Sequence, residues 1–379
     1  MIEAEERAAL PGYRDEAVVR HFEAPGSIPT RFYEVRAKSI LNRVPEASRM
    51  PFRWTINPFR GCTHACAFCF ARPTHTYLEF DAGRDFEREI VVKVNAPERL
   101  RAELRRPSWK REHIALGTNT DPYQWAEGRY RLMRGIWEAM IEARNPGSVL
   151  TKSPLLLCDL DLMRELSRVT EFSAALSVPT IEDRAWRATE PHTPSPRARL
   201  EAVAKLTAAG IRTGVLVAPL MPGINDDPEQ VREILRLCSE AGAAYVTGIA
   251  LHLRSGVRQV FMEWLRRERP ELVDRYRELY RRGAYAPVAE RRRLAALLEV
   301  PQRPADGGWA RGRHRGAGGT RDGPRDDGRA KGGHRDGGRA TGGPRGAGGV
   351  RESGHEAPAL RVASPDVAVA RQERLFELR

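Results

Sequence analysis

The chain has 379 residues, 41% hydrophobic and 30% charged, enough for one large domain or two ordinary ones. No stretch approaches the ~18–20 consecutive apolar residues of a membrane helix, and the first ten residues, MIEAEERAAL, hold no apolar run behind a basic start, so a soluble protein without a membrane partner is expected. The formal charge of +13 is uneven: 47 Lys+Arg against 40 Asp+Glu in residues 1–300, 12 against 7 in 301–357 and 4 against 3 in 358–379, a mildly basic folding part that favours anionic partners without naming one.

Residues 1–50 read as an irregular leader covering one end of the core. Phe32-Tyr33-Glu34-Val35 reads as a short strand there, and Ser39-Ile40-Leu41-Asn42 as the start of a turn. From about residue 52, β-rich runs alternate with amphipathic segments, the pattern of parallel βαβ units. The first run is Phe52 to Asn57, and a cysteine-rich loop follows it directly.

That loop, Asn57 to Phe70, holds Cys62, Cys66 and Cys69 in a C-x3-C-x2-C spacing, three of the five cysteines in eight positions. Thiolates so close in sequence can converge on one soft metal centre. A four-iron cubane normally takes four cysteines. Three leave one iron with an open position, where a substrate or cofactor can bind. Two other readings of the spacing stay open. A structural zinc site wants four ligands, and His64 is the nearest candidate for the fourth. A disulfide plus a free thiol wants an oxidising compartment. Five cysteines with three in one motif are not a disulfide framework, so a reducing cytoplasm is the expected location.

Five further strand-like runs follow: His113 to Gly117, Ser148 to Thr151, Phe172 to Val178, Thr213 to Ala218, and Tyr245 to Leu251. Between them, Ser195-Pro196 supplies a capping hydroxyl and a proline at the first helical position, Leu200, Val203 and Leu206 share one face, and Gly210 closes the helix. Asp227-Pro228 repeats the device, with Val231, Ile234, Leu235 and Cys238 on the buried face and Gly242 at the end. Cys238 therefore reads as a small core residue, and Cys158, after Leu155-Leu156-Leu157, reads the same way. Six units predict an α/β fold, a partial (β/α)6 barrel over residues 51–255, with an open doubly wound sheet as the competing architecture. In such barrels the chemistry lies in the loops after the strands, and the cysteines stand just after the first.

Residues 256–300 read as a helical extension, with Phe261, Trp264 and Leu265 at helical spacing and Arg266 to Arg269 as its solvated end. Residues 301–357 hold 18 of the 33 glycines in loose Arg-Gly, Asp-Gly and Gly-Gly variations, too little apolar surface to offset the entropy of ordering, so they read as a disordered linker. A nonspecific RNA- or DNA-contacting tail is the sharper alternative, weakened by interleaved Asp and the lack of Tyr and Phe. In the last segment, 358–379, Arg371 to Arg379 read as one short helix around Leu375 and Phe376.

Polar groups recur at successive strand ends. The second run leads into Gly117-Thr118-Asn119-Thr120-Asp121-Pro122-Tyr123, whose hydroxyl, amide and carboxylate groups could meet an ammonium or a ribose. The third ends in Thr151-Lys152-Ser153, and a lysine at a buried strand end is costly without an anionic partner. The fourth carries Ser177 and is followed by Glu190-Pro191.

The cysteine spacing, with Phe68 just before the third cysteine, resembles the radical S-adenosylmethionine (SAM) superfamily. That resemblance implies a [4Fe–4S] cluster on Cys62, Cys66 and Cys69. It also implies SAM bound at the free iron and cleaved by one electron to a 5′-deoxyadenosyl radical that abstracts hydrogen from a substrate. Gly117 to Gln124, Leu150 to Ser153, the Glu190 to Leu200 segment and Val217 to Asp226 look like the spore photoproduct lyase-related branch. Ala71 to Leu78, Asp81 to Phe86 and Leu251 to Arg254 look like an actinobacterial subfamily of unassigned substrate, the Rv2578c family. The resemblance covers about residues 30–300. It implies SAM contacts at Lys152 and Ser177, with the loop of Thr118, Asn119 and Asp121 beside them, and an external electron donor. The lyase has a tyrosine after the third cysteine and a hydrogen-donating cysteine on the second-strand loop; here Phe70 and Thr118 stand there, so its repair chemistry does not carry over. A lyase acting on DNA or RNA is the second reading, and a non-enzymatic zinc or RNA-binding scaffold the third.

Overall fold

A computed structural model describes residues 6–22, 28–48, 50–299 and 361–362. In chain order the strands are β1 (Arg7–Ala8), β2 (Ala17–His21), β3 (Arg31–Val35), β4 (Leu41–Arg43), β5 (Trp54–Ile56), β6 (Phe59–Arg60) and β7 (Glu89–Lys93). Then come β8 (Ile114–Leu116), β9 (Gly147–Thr151), β10 (Phe172–Ser177), β11 (Arg212–Leu220), β12 (Tyr245–Ala250) and β13 (Arg361–Val362). The larger sheet runs β13-β12-β11-β10-β9-β8-β5-β4. All its pairings are parallel except β4 on β5. The six expected runs are β5 and β8 to β12, and they lie side by side in chain order as the partial (β/α)6 barrel requires. Their helices cover them: Leu132–Ala143, Leu160–Val169, Pro196–Ala208 and Pro228–Glu240.

The layer between the strands and their helices explains why these runs are so apolar. Ile114, Leu116, Val149, Leu176, Val215, Val217 and Val246 are buried against helix residues such as Ile136, Trp137, Val203 and Ile234 in one core. A strand buried on both faces reads as a continuous apolar run instead of alternating. The caps are as the sequence indicates: Ser195 Oγ accepts from the Ala198 amide at 3.2 Å and Asp227 Oδ2 from the Gln230 amide at 2.8 Å. Leu200, Val203, Leu206, Val231, Ile234, Leu235 and Cys238 are all buried. Cys158 is exposed instead. It lies in a 3-10 turn, Pro154–Asp159, where only Leu156 and Asp159 are buried, so the leucine run before it does not carry one inward face. Residues after β12 form helices Val257–Glu268, Val273–Leu279 and Val288–Ala296. Phe261, Trp264 and Leu265 bury together with Tyr276 and Tyr280.

The leader is more ordered than its composition indicates. A second sheet, β1-β2-β3-β7-β6, joins it to the chain after the cysteine loop. The expected strand at Phe32–Val35 is β3, which pairs in parallel with β7. Strand β7 went unread in the sequence because Glu89-Ile90-Val91-Val92-Lys93 starts and ends on charge; all five residues are nonetheless buried. Where a turn was expected, Leu41–Arg43 is the edge strand β4. The linker 301–357 and the helix at 371–379 lie outside the described residues. Among the described residues no helix is long and apolar enough to cross a membrane.

Candidate active site and metal centre

The cysteine loop leaves the barrel at the end of β5 and is caught at once by the second sheet, where β6 pairs antiparallel with β7. Gly61 then turns with φ +80°, a conformation glycine adopts freely. Beyond it the loop is held almost entirely through its backbone. The Cys62 amide donates to Phe86 O at 2.8 Å and the Ala67 amide to Thr189 O at 3.0 Å. Gln124 takes the Thr63 amide on Oε1 at 2.9 Å and donates from Nε2 to Gly61 O at 3.1 Å, while Thr120 Oγ1 donates to the same carbonyl at 2.6 Å. Arg72 is 1% exposed and donates to the carbonyls of Ala65, Cys66, Ala82 and Gly83 and to Glu87. One planar guanidinium thus fixes the curvature of the loop from inside.

Eight of the candidates line one cavity of ≈ 180 Å³ at the C-terminal ends of the strands: Cys62, Cys66, Cys69, Thr118, Asn119, Asp121, Lys152 and Ser177; Glu190 stands behind it. Gly117 makes the approach possible. It has φ +85°, and a Cβ there would stand 1.9 Å from Leu150 O. Each side chain has a distinct setting. Asp121 is an internal clamp: its oxygens accept from Thr151 Oγ1 at 2.6 Å and from the amides of Lys152 at 2.8 Å and Tyr123 at 2.9 Å. Burial works against its charge, yet His64 and these hydrogen bonds hold its carboxyl below the ordinary value. His64, the candidate fourth zinc ligand, turns its Nδ1 to Asp121 Oδ2 at 3.4 Å.

Lys152 finds its anionic partner within the protein. Its Nζ lies 2.7 Å from Glu190 Oε1, donates to Ser177 Oγ at 2.7 Å and sits 5.5 Å from the centre of the Phe68 ring. The other Glu190 oxygen is 2.8 Å from Arg199 Nη1, and both Glu190 and Arg199 are fully buried. Burial alone would raise the Glu190 carboxyl; Arg199 and Lys152 outweigh it and keep it low. Two cations share one anion, so the cluster keeps a net positive charge on the cavity side. Ser177 Oγ in turn donates to Ala218 O at 3.0 Å. Thr118 Oγ1, in contrast, is buried on the cavity wall with no hydrogen-bond partner.

Burial pushes the thiols of Cys66 and Cys69 up from their ordinary value. A bound cation is what turns such thiols into thiolate ligands. Among the described residues no three His, Cys, Asp or Glu side chains gather closely enough to share one metal ion. A lone zinc draws four donors to about 2.0–2.3 Å. A cluster of several irons spreads its thiolates over separate metals, so cysteines that line one cavity need not share a single ion.

Residues 56–248, from β5 to β12, match the family model of the Radical SAM superfamily. The chain belongs to this superfamily. The protein Rv2578c of Mycobacterium tuberculosis is 50% identical over 286 residues, 76% of this chain and 84% of its own. The radical SAM Nα-GlyT isomerase of Pseudomonas phage M6 is 26% identical over 297 residues, 75% of this chain and 58% of its own. Among solved structures, spore photoproduct lyase complexed with dinucleoside spore photoproduct superimposes with a TM-score of 0.46 at 17% identity, over 67% of this chain and 81% of that one. Within this radical SAM chain, sequence reasoning gave no role to Arg72, Gln124 or Arg199. Two signals for Arg199 lie in the sequence: its place in the Glu190 to Leu200 segment, and a charged residue beside Leu200, Val203 and Leu206 on an inward helix face.

Proposed function

We propose that the protein is a radical SAM iron–sulfur enzyme that holds a [4Fe–4S] cluster on Cys62, Cys66 and Cys69, binds SAM in the adjoining cavity and cleaves it reductively for hydrogen abstraction from a substrate. The observation that carries this reading is convergence. Three thiols from one loop and polar groups from three later strand ends, up to 115 positions apart, face a single cavity. The unpartnered Thr118 hydroxyl fits a polar ligand, since a buried hydroxyl left without a partner is costly. The net positive Lys152–Glu190–Arg199 cluster fits the carboxylate of SAM. When bound, the cluster supplies the single electron that splits SAM. The chain supplies the rest: Lys152 and Ser177 orient the cofactor, Asp121 fixes the loop that presents Thr118 and Asn119, and Phe68, Phe70, Ile249 and Leu251 make the cavity apolar enough to exclude water.

Anaerobic reconstitution followed by dithionite and SAM tests the proposal. Four irons per chain and release of 5′-deoxyadenosine are expected. Cys66→Ala should lose both, and a variant that released 5′-deoxyadenosine at the wild-type rate would overturn the assignment.

A further inference from the structure

A second cavity, of ≈ 420 Å³, opens among the turn after β1, the segment that follows β3, and the ends of β6 and β7. Its lining includes Arg14, Arg36, Lys38, Arg60 and Lys93, and no carboxylate. Among the described residues none of these five side chains is in ion-pair contact with an acid. Surface cations alone would mean little. The deciding group is Lys93, which is 5% exposed at the end of β7. Its Nζ donates to one neutral acceptor, Asn57 O at 2.9 Å. An ammonium has three N–H donors, so a buried one with a single carbonyl is undersupplied. Burial, with Arg60 beside it, outweighs the pull of Glu103 and drives its pKa down to about 7. A methionine would pack at that position without any such cost. Tyr13 and Tyr77 add aromatic surface to the lining, and Tyr77 is 77% exposed, held where a planar group can stack on it.

We infer that this cavity is a phosphate-binding site, separate from the cluster cavity, in which Lys93 and Arg60 at the floor and Arg14, Arg36 and Lys38 at the mouth hold a phosphate carried by a planar group. Guanidinium groups match phosphate oxygens two at a time, and a buried ammonium gives the point charge beneath them. The phosphate is either that of a free mononucleotide or the phosphodiester of a nucleic-acid strand. The site does not depend on what the first cavity holds.

The test is titration calorimetry of the full chain with inorganic pyrophosphate. Saturable binding is expected. Arg36→Glu combined with Lys38→Glu should weaken it at least about tenfold and leave the thermal midpoint unchanged, because both side chains are exposed. Lys93→Met should weaken it comparably while folding at least as stably at pH 7. Adenosine monophosphate and an oligothymidylate separate the two sources. Equal affinity with a shallow salt dependence marks the free nucleotide. Tighter oligomer binding that falls steeply with salt marks the strand. No saturable binding by the wild type, binding unaltered in both variants, or acetate competing as well as phosphate would each overturn the inference.

Discussion

Replacing Glu190 by glutamine tests the most demanding electrostatic arrangement in the protein. The carboxylate is fully buried and bridges Lys152 at 2.7 Å and Arg199 at 2.8 Å. Arg199 is itself fully buried, and its remaining bonds go to Pro194 O, Ser177 O and Thr193 Oγ1. A glutamine offers one oxygen and turns an N–H₂ toward the other cation. Removing one member of a buried pair costs about 3–5 kcal/mol, because the charges left behind are neither solvated nor neutralised. At about 2 °C per kcal/mol for a chain of this size, the thermal midpoint should fall by about 6–10 °C at pH 7. The pH dependence gives an independent check. The folded carboxyl titrates below its ordinary value of 4.5. Its contribution is therefore fully present above about pH 4.5 and is lost as the pH falls through the lower folded pKa. The gap between wild type and Glu190→Gln should be constant from neutral pH down to about pH 5 and narrow below it. Circular-dichroism melts across that range decide the matter. A midpoint within about 2 °C of wild type at pH 7, or a gap that does not close in acid, would refute the account of a charged, bridging Glu190.

Thr118→Val removes a hydroxyl that has no partner among the described residues, so the midpoint should hold or rise slightly, while SAM affinity of the cluster-loaded enzyme drops about 3–10-fold by equilibrium dialysis. Arg72→Met keeps all three cysteines but removes the donor that ties the carbonyls of Ala65 and Cys66 in the cysteine loop to those of Ala82 and Gly83; iron content after reconstitution should fall below that of wild type, and Arg72→Lys, with three donors on a flexible stem, should not restore it. Gly117→Ala places a Cβ 1.9 Å from Leu150 O at φ +85° and should cost at least about 2 kcal/mol, visible as lowered stability to urea. Lys93→Met should stabilise the chain at pH 7, with the gain fading toward pH 10, because a lysine whose folded pKa is depressed costs stability below that pKa and recovers it as the unfolded chain also loses its proton.

The sequence by itself determined the order of the barrel strands and the grouping of three cysteines in one loop after the first of them. Six apolar runs at βαβ spacing can bury both faces only in a parallel sheet, and three cysteines in eight positions are local chemistry that needs no tertiary information. It also placed Thr118, Asn119, Asp121, Lys152 and Ser177 at strand ends. Only the tertiary structure decided what each of them does there. Asp121 is spent on hydrogen bonds that tie its loop to Thr151 and Lys152 at the end of β9, Lys152 is matched by Glu190 from 38 residues downstream, and of these five residues Thr118 keeps an unused hydroxyl. Hydrogen bonds and ion pairs between distant segments leave no periodicity to read, because their partners are set by how the strands stack. The same reason hid β7: its charged ends mask a strand whose burial comes from β3 and β6, one far upstream and one across the cysteine loop.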